Sequence, residues 1–181
     1  LVLLLLLLLL LLPHKPLPSR THAFRSLHFS VGYSKGLTDA ALATIVVGCA
    51  ELQSLDLSYC NSAQLTGAGI EAAVGQLKAL DALSLRGATA GAGARIVHDR
   101  LSSLNLSWCK TLQDDALERV AEGCPSLRHI DLAWCDQITG AAVHRLAQKL
   151  ASLRSFNLRG CHKIPSLTIQ FLTHAGKTVQ R

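Results

Sequence analysis

Six cysteines and eight histidines are the residues with most chemistry to offer in this 181-residue chain. Thiolate and imidazole together suit zinc, but zinc sites are built from close pairs such as C-x-x-C or H-E-x-x-H, and neither spacing occurs. "CHK" at 161–163 sets Cys161 beside His162, yet the matching cysteines, Cys135 and Cys109, stand 26 and 52 residues earlier. Ligands repeated at such a spacing form a line along a stack and not a tetrahedron. The glycine-rich stretch "RGATAGAGARIVHDR" at 86–100 invites a phosphate-cradling role, but it completes neither G-x-x-x-x-G-K-[ST] nor G-x-G-x-x-G. No set of Ser, His and Asp is aimed by a motif. The expectation is a non-enzyme with no metal and no cofactor.

What the cysteines do follow is a period. Apolar pairs spaced by one polar residue stand at Leu27/Phe29, Leu55/Leu57, Leu83/Leu85, Leu104/Leu106, Ile130/Leu132 and Phe156/Leu158, in steps of 28, 28, 21, 26 and 26 residues. Three residues after each pair come Gly32, Cys60, Ala88, Cys109, Cys135 and Cys161. Cys49 and Cys124 share a second phase, six residues before the next pair. Cysteines tied to a repeat phase read as small buried hydrophobes, which favours a reducing compartment. Self-similarity at this period is the mark of a solenoid.

Residues 127–151 show the unit. "LRHIDLAW" alternates around Ile130 and Leu132 as a short strand, Cys135 turns the chain, and Thr139 caps a helix whose apolar face is Val143, Leu146, Ala147 and Leu150. Thr38, Thr66 and Asp114 read as equivalent caps, and Ser166 takes that role where Pro165 stands in place of threonine. Strand followed by helix, repeated, gives an α/β fold with one parallel sheet and helices outside it. The third unit is short by about a turn of helix and rich in glycine, which weakens helices by up to about 1 kcal/mol per residue; it reads as a weak point or bend.

The ends are different in kind. Residues 1–12 are eleven Leu and one Val, too few to span a bilayer. They read either as low-complexity or truncated sequence, or as the remnant of a secretory signal or anchor. Residues 13–23 form a Pro-rich linker, and 24–181 a repeat domain of about six units. The chain contains no Met at all, not even at position 1, which points to a fragment or an incomplete gene model.

The pattern L-x-x-L-x-L-x-x-C-x-x-[IL]-[TS]-[DG], seen in "LQSLDLSYC", "LSSLNLSWC", "LRHIDLAWC" and "LRSFNLRGC" with "LTDAAL" and "ITGAAV", resembles the cysteine-containing class of leucine-rich repeats. That class is typical of F-box/leucine-rich-repeat proteins and of Amn-type antagonists of mitotic exit. The resemblance covers residues 24 to about 175. It implies a horseshoe with the sheet on its concave side, and the substrate-recognition part of an F-box (SCF) ubiquitin-ligase subunit acting in ubiquitin-dependent protein catabolism. In that family the F-box holds the Skp adaptor and cullin scaffold. Residues 13–26 are too short and Pro-rich to be an F-box, so those partners are expected only if one lies upstream. The family reading implies a cytoplasmic or nuclear protein; a secreted or membrane-anchored repeat protein is the alternative if the Leu run is a signal.

Stacked repeats create an extended binding surface. Its candidate protein-binding residues are Tyr59, Trp108 and Trp134, read as one aromatic row at the strand ends, with Arg86, Asp131, Asn157 and Arg159 beside them. Charge is uneven. Residues 137–181 carry seven Lys/Arg and no acid, whereas all twelve Asp/Glu fall within 39–136. A basic end suits either a protein partner with an acidic or phosphorylated segment or a simply solvated end surface. Nucleic acid is not expected, because basic residues and stacking aromatics are not interleaved.

Overall fold

An apolar residue between two small or polar ones gives every repeat a three-residue strand, with its centre turned inward. The computed structural model describes residues 28–90 and 94–181. The Leu run, the Pro-rich linker, Leu27 and residues 91–93 of the glycine-rich stretch lie outside the described residues. The elements run β1 (His28–Ser30), α1 (Asp39–Gly48), β2 (Ser54–Asp56), α2 (Gly67–Gln76), β3 (Ala82–Ser84), β4 (Ser103–Asn105), α3 (Asp114–Gly123), β5 (His129–Asp131), α4 (Gly140–Lys149), β6 (Ser155–Asn157), α5 (Ser166–His174) and β7 (Thr178–Gln180). Seven parallel strands pair in chain order, each with the next. Phe29, Leu55, Leu83, Leu104, Ile130, Phe156 and Val179 are directly in register. This column meets the apolar faces of the helices, and the core runs between them as one continuous cluster. In α4 the inward residues are Ala142, Val143, Leu146 and Ala147, with Leu150 buried just beyond. No described helix is long and apolar enough to cross a membrane.

The first repeat is offset from the sequence reading. Phe29, not Leu27, pairs with Leu55, so the inward pair is Phe29/Val31 and the cysteine position is held by Ser34, not Gly32. The step is then 26 residues, and only the second repeat carries two extra residues before its cap. Alternation in "LHFSV" allowed either frame, and the sheet register decides between them. The seventh strand is a further addition: Gly176, at φ 72°, closes α5 with bonds from Gly176 N–H to Thr173 and Lys177 N–H to Leu172, and so turns Thr178–Gln180 back onto β6.

Thr38, Thr66 and Thr139 cap their helices, accepting from the N–H of Ala41, Gly69 and Ala142. Asp114 does not: the N-cap of α3 is Gln113, and Asp114 is the first helical residue. Its carboxylate accepts instead from the N–H and hydroxyl of Thr139 in the next repeat, at 2.8 and 2.7 Å. Asp39 binds Thr66 in the same way. Ser166 likewise opens α5 without capping it, Pro165 standing at the N-cap.

The third repeat contains no weak helix among its described residues; an extended segment takes the helix's place. Ala94, Ile96 and His98 are buried, while Arg95 and Val97 are exposed, a period of two. Five extended residues cover about 16 Å and ten helical ones about 15 Å, so a repeat short by five residues still closes. The segment is tied on both sides. Arg95 N–H donates to Glu71 of α2, His98 Nε2 bonds the Leu77 carbonyl at 2.8 Å, and His98 N–H donates to Gly123 of α3 at 2.8 Å.

Cys60, Cys109, Cys135 and Cys161 are buried at the strand-to-helix turns, and they also stitch the layers. The thiols of Cys60, Cys109, Cys135 and Cys161 donate to the carbonyls of Val31, Leu85, Leu106 and Leu132 in the preceding repeat, at 3.0–3.2 Å. Burial pushes the thiols of Cys109 and Cys124 up to about 11, and those of Cys60, Cys135 and Cys161 up as well. An unfolded thiol titrates near 8.5. Between that pH and about 11 the folded state holds protons that the unfolded chain has lost, so stability is full below this window and falls as pH rises through it. Urea unfolding at pH 8 and pH 10.5 should show the loss, and a Cys109→Ala/Cys124→Ala variant should show a smaller one. An equal alkaline loss in both proteins would contradict this account.

Candidate functional site

At the exit of each strand the chain enters a tight turn whose geometry is written in the polar residues of the sheet face. Asp56, Asn105, Asp131 and Asn157 each accept, through a side-chain oxygen, the backbone N–H two residues on, at 2.9–3.2 Å. Asp131 and Asn157, read from sequence as partner-facing, are therefore occupied in holding their own turns. They also touch each other, Asn157 Nδ2 donating to Asp131 Oδ2 at 3.1 Å. In the second repeat burial raises the Asp56 carboxyl, but bonds from Ser58, Ser30 and Ser84 outweigh it and hold the group below the usual carboxylate range.

The next residue of the turn lies in the left-handed region. It is Tyr33, Tyr59, Gly87, Trp108, Trp134 and Gly160 in successive repeats, with φ between 55° and 72°. Glycine adopts this conformation freely, whereas an L side chain costs roughly 1–2 kcal/mol there. Four repeats nevertheless place a large aromatic ring at this point, and the rings stack. Tyr33 and Tyr59 have centroids 4.8 Å apart, and Trp108 and Trp134 lie 5.2 Å apart. Each stack ends on a glycine. A Cβ at Gly87 would fall 2.3 Å from the Tyr59 ring, and one at Gly160 would fall 2.6 Å from Trp134.

The single row expected from Tyr59, Trp108 and Trp134 is thus two pairs, divided at Gly87. Tyr59 belongs with Tyr33, which the offset frame of the first repeat concealed; "VGYS" against "LSYC" is the signal that finds it. Arg86 joins the first pair, its Nε donating to Tyr59 Oη at 3.1 Å with the guanidinium 5.6 Å from the ring centroid. Lys110, not anticipated, joins the second. Its ammonium lies 5.1 Å from the Trp108 ring and 5.9 Å from Trp134, and pairs with Asp136 at 2.7 Å. Arg159 is exposed beside Trp134, whose N–H donates to the Arg159 carbonyl at 2.7 Å. Trp108 is 38% exposed and Tyr33 74% exposed, so both pairs present ring surface to solvent.

Charge is distributed less simply than residue counting along the chain suggested. Arg145 and Lys149 of α4 pair with Glu118 and Glu122 of α3, at 2.9 and 3.3 Å. Two of the seven cations in 137–181 are therefore balanced by acids one repeat earlier, because helices of adjacent repeats lie side by side. On the sheet side, the guanidinium groups of Arg128, Arg154 and Arg159 have no acidic partner among the described residues. No cluster of potential metal ligands occurs among the described residues.

Residues 101–121 and 123–147 match a family model described as a leucine-rich repeat. With the in-register parallel sheet backed by helices, that settles the architecture. The fold is a leucine-rich-repeat solenoid. Among solved structures, the crystal structure of a Rad7 and Elc1 complex in yeast contains a chain of this fold, with a TM-score of 0.57 and 20% sequence identity. The likeness covers 79% of this chain but only 44% of that one, so this chain spans less than half of that neighbour's length. Comparison with curated proteins gives no match. Leucine-rich repeats are typically interaction modules, their stacking creating an extended concave surface.

Proposed function

We propose that the chain is a protein-recognition module of the kind found in F-box/leucine-rich-repeat ubiquitin-ligase subunits. Its target is held at the strand-exit rim by the Tyr33–Tyr59 and Trp108–Trp134 pairs. The observation that carries this reading is backbone strain. Glycine stands at the same turn in two repeats, so the turn itself does not need an aromatic, yet four repeats keep one against an unfavourable φ. Rigid, half-exposed aromatic pairs flanked by Arg86, Lys110 and Arg159 have the composition of interface anchors. Arg86 and Arg159, which have no acidic partner among the described residues, suit an acidic or phosphorylated segment of the target. Association with the Skp adaptor and a cullin belongs to this reading only through an F-box outside residues 13–26. Buried thiols at the repeat turns support a cytoplasmic or nuclear setting.

The test separates binding from folding. Trp134→Gly places at this turn the residue that Gly87 and Gly160 already supply, so relief of backbone strain of about 1 kcal/mol offsets part of the lost ring packing. Combined with Arg159→Ala, it should lower the unfolding midpoint but leave a folded protein with a single cooperative transition. Quantitative affinity capture should then show at least a tenfold loss of the partners that the parent chain retains. Equal recovery by parent and variant would place the binding surface away from this rim.

A further inference from the structure

The entry edge of the sheet, opposite the aromatic rim, carries a charge arrangement that the rest of the molecule avoids. The residue immediately before the strand is Gln53, Asp81, Ser102, Arg128, Arg154 and Lys177 in successive repeats from β2 onward, β7 included. Arg154 N–H and Ser155 N–H both donate to the Arg128 carbonyl, at 2.8 and 3.0 Å, so the two arginines are direct neighbours on adjacent strands. Parallel strands lie about 4.8 Å apart, and like charges in such positions repel. On the helical side Arg145 meets Glu118 and Lys149 meets Glu122. Arg128 and Arg154 are both exposed, and neither guanidinium has a hydrogen-bond or ion-pair partner among the described residues. The nearest acid on these strands, Asp131, is engaged with Ala133 N–H and with Asn157.

We propose that Arg128 and Arg154 form a clamp for the phosphate of a phosphorylated serine or threonine in the protein partner held on this sheet. The inference rests on the partner-recognition reading above and names its chemistry. Two guanidinium forks carried on neighbouring strands can bring several N–H donors and two positive charges to one phosphate. A carboxylate carries one charge and is satisfied by one fork. A phosphomonoester carries between about −1.5 and −2 charges and three acceptor oxygens, which matches both forks together. His129, exposed beside Arg128, and the Thr178 hydroxyl lie on the same edge of the sheet. A nucleic-acid backbone fits less well. It needs a continuous track of cations, and this edge turns to Ser102 and Asp81 within two repeats, while Asp56 and Asp131 line the face beside it.

The probe is N-acetyl-phosphoserine amide, titrated into the full chain while the arginine Nε–Hε resonances are followed by NMR. The resonances of Arg128 and Arg154 should shift and saturate together. An Arg128→Gln/Arg154→Gln variant should bind at least tenfold more weakly, and Arg145→Gln should bind as the parent does. N-acetyl-glutamate amide should bind at least tenfold more weakly than the phosphoserine probe. The clamp is overturned if glutamate and phosphoserine bind alike. It is equally overturned if the double variant binds unchanged, or if a short single-stranded oligothymidylate saturates the same resonances at lower concentration. Its failure is distinguishable from failure of the recognition reading. Partner capture lost in Trp134→Gly/Arg159→Ala, with no phosphoserine response, removes the clamp alone; a phosphoserine response that persists in that variant supports it independently of the rim.

Discussion

Leu132→Asp should abolish the folded state of the repeats around it. Leu132 is fully buried, at 0% exposure, directly beneath the strand-exit turn. Both of its backbone polar groups are bound to the following repeat, the N–H donating to the Asn157 carbonyl at 2.9 Å and the carbonyl accepting from the Cys161 thiol at 3.0 Å, so the residue cannot turn outward without separating it from that repeat. Losing the buried leucine removes about 1.5–3 kcal/mol of apolar burial. A carboxylate in its place adds a desolvation cost of several kcal/mol with no cation to meet it. A domain of this size is stable by about 5–15 kcal/mol, and in a solenoid each repeat depends on its neighbours. Circular dichroism should show loss of most helix and strand signal, or an unfolding free energy in urea lower by several kcal/mol. Leu167→Asp on α5, at a position 74% exposed, is the matched control and should be nearly neutral. A Leu132→Asp protein unfolding cooperatively at the parent midpoint would refute the register described here.

Gly123→Ala, a change that is mild on most helices, is expected to cost about 3 kcal/mol, the upper part of the usual range for overpacking. A Cβ at Gly123 would lie 2.1 Å from the Ile96 carbonyl oxygen, 3.1 Å from its carbon and 3.2 Å from the Val97 Cα. These are backbone atoms of the extended segment that replaces a helix in the third repeat, and they cannot swing aside as a side-chain tip can. Relief requires moving the segment, which breaks the bond from His98 N–H to the Gly123 carbonyl and separates the Cys124 thiol from the Ile96 carbonyl. Hydrogen exchange should therefore quicken at residues 94–98 and at the C-terminal turn of α3, well before β6 and α5 respond. Alanine at Gly75, where a Cβ meets nothing within 4 Å, should leave stability unchanged or raise it. Equal stability of the Gly123→Ala and Gly75→Ala proteins would mean that the segment does not lie against α3.

What the sequence by itself determined is whatever a period can carry. A repeat of strand, turn, threonine cap and helix is local, each part being dictated by residues within about ten positions. The parallel sheet, the buried cysteine phase, the caps at Thr38, Thr66 and Thr139, and the inward face of α4 were all legible for that reason. Where local rules allowed two answers, contacts between repeats chose. The alternation in "LHFSV" accepted two frames, and only pairing with β2 selected Phe29/Val31. "ARIVH" alternated like a strand within a repeat expected to be helical, and the length needed to close that layer made it extended. Asp114 suited a cap by type, but the threonine of the next repeat offered its carboxylate two donors. The candidate site divided along the same line. Aromatic residues at strand ends could be read from the chain, whereas their division into two stacks depended on where Gly87 leaves no side chain. The pairing of Arg145 and Lys149 with acids 27 residues earlier, and the exposed adjacency of Arg128 and Arg154, arise because a solenoid sets equivalent residues of successive repeats within about one strand or helix spacing of each other. Sequence distance of a full period becomes spatial contact, and no window along the chain shows that until the layers are stacked.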